Sequence, residues 1–295
     1  MKKSALTGVS LVFLTVFLYS QPGALDVTFG TNGTVISDLG SDSENAHAVT
    51  IQPDGKIVVA GEHRIETYDA ILVARYNTNG ILDPSFSVDG IVTTLAGSAN
   101  CQASSVAIQQ DEKILIAGYS HNGFSSEFVV VRYNSDGTLD HSFGASGIAT
   151  IDIGNATDIG TSMIIQPDGK IVVAGISDNG TNYDFAVVRY NSDGSVDNTF
   201  SVDGIVTTAI GSSYDRATSV ALQQDGKIVA GGHSYNGTDL DFAVVRYNTD
   251  GTLDNTFGDN GIVTTDFGGL YEECYALTIQ SDDKILLAGL INAKK

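Results

Sequence analysis

Ser162-Met163-Ile164-Ile165-Gln166-Pro167-Asp168-Gly169-Lys170-Ile171-Val172-Val173-Ala174-Gly175 reads as a β-hairpin. Pro167 presets φ for a tight turn, Asp168 caps that turn with its own carboxylate, and Gly169 supplies a positive φ. The returning run Ile171-Val172-Val173-Ala174 does not alternate apolar with polar residues. Continuous apolar character predicts a central strand covered on both faces. Upstream, a run at 147–152 follows a corner at Phe143-Gly144. Downstream, a run at 185–190 ends in the turn cluster Asn191-Ser192-Asp193-Gly194. The runs 147–152, 162–166, 170–175 and 185–190 therefore read as four antiparallel strands, and no segment keeps a helical period.

The unit recurs every 57 residues without a slip. Leu-Asp-x-x-Phe places its acid at Asp26, Asp83, Asp140, Asp197 and Asp254. The turn Asp-x-Lys recurs at Lys56, Lys113, Lys170, Lys227 and Lys284, and Arg-Tyr-Asn begins at Arg75, Arg132, Arg189 and Arg246. Repeats fall near 26–82, 83–139, 140–196, 197–253 and 254–295, the last stopping after its third run. Four strands per repeat predict an all-β chain, a β-propeller of five blades in which the last blade lacks one strand. No blade can bury both faces alone, so neighbouring blades supply the core.

Met1-Lys2-Lys3 followed by the apolar run 9–18 reads as a signal peptide over 1–20, leaving a single propeller domain over 21–295. The run is too short to span a bilayer comfortably, so no transmembrane segment is expected after cleavage. The expected location is secreted, periplasmic or cell-surface. Shifted by four repeats, Tyr247 falls on Tyr19 and 242–245 on 14–17, so an uncleaved segment could instead close the ring as a strand. With that segment removed, the open sheet edge invites self-association. The chain carries 35 acidic against 15 basic residues, a net charge of −20, which disfavours nucleic acid as a partner. Cys101 and Cys274 either pair or remain free thiols, and no histidine clusters with them at zinc-ligand spacing.

The phrases Leu253-Asp254-Asn255-Thr256-Phe257-Gly258, the run 165–175 and Phe185-Ala186-Val187-Val188-Arg189-Tyr190-Asn191 resemble the delta-60 repeat. The resemblance covers 25–289. It implies an exported bacterial β-propeller, and it brings neither a known function nor catalytic residues. The chain departs from the pattern at Glu112 and Asp283, where the turn glycine is replaced and a left-handed conformation carries a small cost.

A residue present in every copy belongs to the blade before it belongs to one site. The arginine column is accordingly expected to pair with the Leu-Asp carboxylate or to stack on the repeated Phe. Turns such as 191–197 resemble part of a calcium loop but lack its closing Glu, and Asx turns explain the same residues. Gly118-Tyr119-Ser120 and Gly175-Ile176-Ser177 lack the second glycine and the helix of a nucleophile elbow. Variation concentrates in two places. One is the column Glu44, Cys101, Asp158, Asp215 and Glu272, whose four acids, Glu44, Asp158, Asp215 and Glu272, could ring one face and hold calcium. The other is Glu62-His63-Arg64-Ile65-Glu66. With Asp215 and Arg216, the residues Glu62, His63, Arg64 and Glu66 form the expected binding set.

Three functions remain open. A non-enzymatic binding propeller that presents variable loops to a protein or glycan partner is favoured by the uniform loop lengths. A hydrolase or lyase with an acidic, cation-dependent central site is the alternative. A structural or adhesive surface protein is the third. No cofactor is required by the sequence, calcium being the one ion its acids suggest.

Overall fold

The computed structural model describes residues 23–38, 40, 43–154 and 156–293. The leader read at 1–20 and the ring-closing strand read at 14–20 lie outside them. The first sheet comprises β1 (Glu44–Ile51), β2 (Ile57–Ile65), β3 (Tyr68–Tyr76) and β4 (Ile91–Thr94). The second comprises β5 (Cys101–Ile108), β6 (Ile114–His121), β7 (Ser126–Tyr133) and β8 (Ile148–Ile151). The third comprises β9 (Asp158–Ile165), β10 (Ile171–Asp178), β11 (Tyr183–Tyr190) and β12 (Ile205–Thr208). The fourth comprises β13 (Asp215–Leu222), β14 (Ile228–Tyr235), β15 (Leu240–Tyr247) and β16 (Ile262–Thr265). The remaining pair, β17 (Gly269–Ile279) and β18 (Ile285–Ala293), packs against the fourth sheet and is strand-paired to it through one parallel bridge, Leu240 to Tyr271. All other strand pairing within the sheets is antiparallel, and the described residues contain no helix.

These sheets correct the phase of the sequence repeat. The run at 147–152 does not open the third sheet. It supplies β8 of the second, pairing with β7 in the register Phe128 to Ile151. The cause is the Leu-Asp-x-x-Phe corner. Asp140 N donates to Arg132 O and Phe143 N to Asp140 O, reversing the chain directly after Arg-Tyr-Asn. Each repeat thus lends its first run to the sheet before it. The last sheet correspondingly holds two strands among the described residues, where the sequence reading gives it three.

The core lies between sheets, as the non-alternating runs require. Ile171 and Val173 pack with Leu115, Phe128 and Val130 of the second sheet. Val172 and Ala174 of the same strand pack with Ala217, Ile228 and Ala230 of the fourth. One strand therefore serves two cores. The first sheet lacks such cover on one side. Phe29, Val35, Val59, Leu72 and Ala74 line an open apolar recess of about 490 Å³ there. Residues 34–37 run along its edge, where the Ser37 hydroxyl meets Tyr76 Oη at 2.8 Å.

The framework columns behave as their repetition implies. Arg132 Nε donates to Asp140 Oδ2 at 2.7 Å, its guanidinium lies 4.6 Å from the Phe143 ring centre, and Nη1 reaches Ser192 O beside the next sheet. Arg75 and Arg189 repeat all three contacts. Lys113 Nζ stands 3.1 Å from the same Asp140 oxygen. Glu112 and Asp283 adopt φ of 65° and 62°, the left-handed turn that the missing glycine makes costly. Cys101 and Cys274 are free and buried, and burial pushes both thiols up.

Candidate functional site

Five innermost strands, β1, β5, β9, β13 and β17, pack side by side around an axial recess of about 520 Å³. His47, Gln102, Tyr119, Arg216 and Tyr275 line it, with Thr161 and Thr218 between them. Alternate residues of a strand share one face, which is why Ile159 and Thr161, or Arg216 and Thr218, both enter the recess. A β-bulge in every inner strand sets that facing. The repeated Gly61, Gly118, Gly175, Gly232 and Gly289 sit against the bulges, where a Cβ would overlap the facing carbonyl oxygen. That close approach accounts for the glycine of the Gly-x-Ser pattern without a nucleophile elbow.

Unlike the framework, the recess breaks the repeat. The five positions one step apart hold Asn45, Gln102, Ile159, Arg216 and Glu273; a second set holds His47, Ser104, Thr161, Thr218 and Tyr275; a third holds Glu62, Tyr119, Ile176, His233 and Leu290. On one side the buried Glu62 carboxylate is satisfied by three neighbours. Asn45 Nδ2 donates to Oε1 at 2.8 Å and Gln102 Nε2 to Oε2 at 2.9 Å. His47 Nε2, 2.5 Å from Oε2, is the third. On the other side Tyr275 donates its hydroxyl to Glu273 Oε2 at 2.6 Å. Burial lowers the His233 pKa, with Glu273 opposing, so this imidazole is held toward its neutral form. His233 Nδ1 and Arg216 Nε are buried without a hydrogen-bond partner. Burial raises the Tyr119 hydroxyl, the negative charge of Glu62 adding to it.

The expected binding set is divided by the fold. Glu62 and Arg216 stand at the recess. His63 Nδ1 lies 3.7 Å from Glu44 Oε1, Arg64 pairs with Asp69 across the β2–β3 hairpin at 3.1 Å, and Glu66 takes φ of 54° in its turn. Asp215 is wholly buried. It accepts from Ile210 N, Gly211 N and the Ser234 hydroxyl, so it fastens its own loop instead of facing a ligand.

The same holds along the acidic column. Asp158 accepts from Ile153 N and Gly154 N, and Glu272 accepts from Phe267 N and Gly269 N. Cys101 Sγ takes the corresponding amide of Ala96. Asp158, Asp215 and Glu272 each tie down the loop that enters their strand. Among the described residues Glu44, Asp158, Asp215 and Glu272 do not share a ligand group; the acids that come together are Asp241, Asp266 and Glu272. At the 191–197 type of turn, Asp193 Oδ1 accepts from Ser195 N and Oγ, an Asx turn complete without an ion. Sequence reasoning missed Gln102, Tyr119, His233, Glu273 and Tyr275. The available signal was the spread of residue types within columns whose neighbours repeat.

Four stretches, residues 52–86, 109–143, 166–200 and 223–257, match DUF5122, a β-propeller domain of unknown function. Each match runs from the β-hairpin turn to the Phe corner, the part of the unit that holds the Arg, Asp, Lys and Phe columns. No curated protein matches the sequence. Among solved structures, the chain resembles a gluconolactonase from Xanthomonas campestris, with TM-score 0.41 and 10% identity over 83% of this chain and 69% of that one. A mannose phosphorylase from Leishmania mexicana gives 0.40 and 11% over 86% and 82%. An endo-arabinase from Bacteroides thetaiotaomicron gives 0.41 and 9% over 82% and 87%. These are likenesses of shape. No helix among the described residues is long and apolar enough to cross a membrane.

Proposed function

We propose that this chain is an exported binding protein whose axial recess receives a glycan. The observation that carries this reading is the contrast between columns. Arg, Asp and Phe repeat around the framework, while equivalent positions at the recess hold Gln102, Ile159 and Arg216, or His47, Thr161 and Tyr275. Recognition needs unlike groups on a rigid scaffold. The recess combines amide, imidazole, hydroxyl and guanidinium groups with two tyrosine rings, backed by the Glu62 and Glu273 carboxylates, a set suited to sugar hydroxyls and ring faces. Its volume suits one small polar ligand better than the broad contact of a protein partner. The charged leader at 1–20 supports export.

Titration calorimetry of the protein against neutral and acidic oligosaccharides tests the reading, with Arg216→Met and Gln102→Ala as variants. At least a tenfold loss of affinity is expected for each, at unchanged melting temperature for Arg216→Met. The reading fails when no oligosaccharide binds, or when both variants bind as the parent does.

The His47–Glu62 contact favours one second reading, a hydrolase or lyase that moves a proton between these groups. Oligosaccharide cleavage abolished by Glu62→Gln would establish it, and intact oligosaccharide after prolonged incubation would exclude it.

A further inference from the structure

Asp241 on β15, Asp266 in the loop after β16 and Glu272 on β17 each bring one carboxylate oxygen within 4.8 Å of the others. Among the described residues none of the three pairs with a lysine, arginine or histidine, so their mutual repulsion is not offset by a basic side chain. Asp241 makes the arrangement informative. Its residue is 7% exposed, its Oδ2 accepts from Asn236 Nδ2 at 2.9 Å, and its Oδ1 is buried with no donor at all. A buried, unpaired carboxylate oxygen is costly unless something positive meets it. Asp266 is exposed and opens the cluster to solvent, while Glu272 is rigidly aimed by the amides of Phe267 and Gly269.

We propose that Asp241, Asp266 and Glu272 bind a calcium ion that fastens the β17–β18 pair to the fourth sheet. The donors are all hard oxygens, with neither the nitrogen nor the sulfur that zinc prefers. Two oxygens held at calcium's usual bond length stand at most about 5 Å apart, which fits the spacing found. The equivalent position between the third and fourth sheets holds Asp184 and Asp215 but has Ala209 in place of Asp266. Between the second and third sheets the same columns hold Glu127, Asp152 and Asp158, but among the described residues it is Asp241, Asp266 and Glu272 whose carboxylates close to within 4.8 Å of one another. An ion there would join a strand, a loop and the next sheet.

Full-length protein stripped with chelator should be titrated with calcium chloride by calorimetry, and its melting temperature read with and without the ion. Saturable binding and a rise in melting temperature are expected, since a ligand that binds only the folded state stabilises it. Asp266→Asn, at an exposed position that keeps its acceptor for Gly268 N, should melt like the parent in chelator yet bind at least tenfold more weakly. Asp241→Asn should lose the calcium-dependent rise in the same way. No heat and no shift at millimolar calcium would overturn the site, as would equal binding by the parent and both variants.

Discussion

Arg189 stands for the framework columns at the level of single side chains. It meets Asp197 at 2.6 Å, lies on the Phe200 ring and donates to Thr249 O. Three partners in three directions fix the corner, the strand and the next sheet at once. Arg189→Ala leaves Asp197 buried with Lys170 as its remaining cation, and a loss of about 3–5 kcal/mol is expected for breaking such a pair. Chemical denaturation of parent and variant measures it, and a loss below about 1 kcal/mol would mean that Lys170 alone suffices. This column was legible in the sequence because every copy repeats it. The recess was not, because His47, Gln102, Ile159, Arg216 and Tyr275 look unrelated until the fold aligns them on five inner strands. Four of the six residues of the expected binding set stand away from the recess, and for Asp215 the reason is similar. Asp215 and Arg216 are neighbours in sequence, yet alternate strand residues face opposite ways, so one is buried in a loop cap and the other enters the recess.

Among the elements, the tie between neighbouring sheets shows where local sequence decides stability. Tyr133 donates to Thr94 Oγ1 at 2.6 Å and Tyr247 meets Thr208 at 2.8 Å, each linking β7 or β15 to the short outer strand of the sheet before it. Tyr190 is equally buried, but the equivalent outer-strand residue is Ile151 and its hydroxyl finds no partner. Ile151→Thr should therefore stabilise the protein by about 1 kcal/mol by satisfying that hydroxyl. A melting temperature that falls would mean that lost packing of Ile151 outweighs the new bond. Strand positions were legible from runs and turns alone. Which strands share a sheet was not, because a periodic sequence carries no mark of where a unit begins. The Asp-x-x-Phe corner sets the phase by bonds that only three dimensions reveal.

Over the whole molecule the aspartates of the corner add up. Burial works against ionised Asp83, but hydrogen bonds from Ser85 and Lys56 and the charge of Arg75 outweigh it and hold the group at about 2. Asp254 lies at about 2 through Thr256, and Asp140 and Asp197 are lower still, burial again being overcome by Ser142 and Lys113 in one and Lys170 and Thr199 in the other. A depressed folded-state pKa adds stability that is complete above the ordinary carboxylate value of about 4 and disappears as pH falls through the folded one. Stability should thus be flat near neutrality and decline between about pH 4 and pH 2, with all sheets weakening together. Denaturant midpoints measured across that range check it; a midpoint already falling steeply at pH 6 would point to other groups.

The lent outer strand has an evolutionary reach. Because β4, β8, β12 and β16 are interchangeable guests on the sheets that receive them, unequal recombination between any two copies removes or inserts a whole number of periods and still delivers each four-stranded sheet a matching guest. The junction never has to be reinvented. Copy number can drift across generations while the fold is conserved at each step, and only the unlike residues of the inner strands register the change.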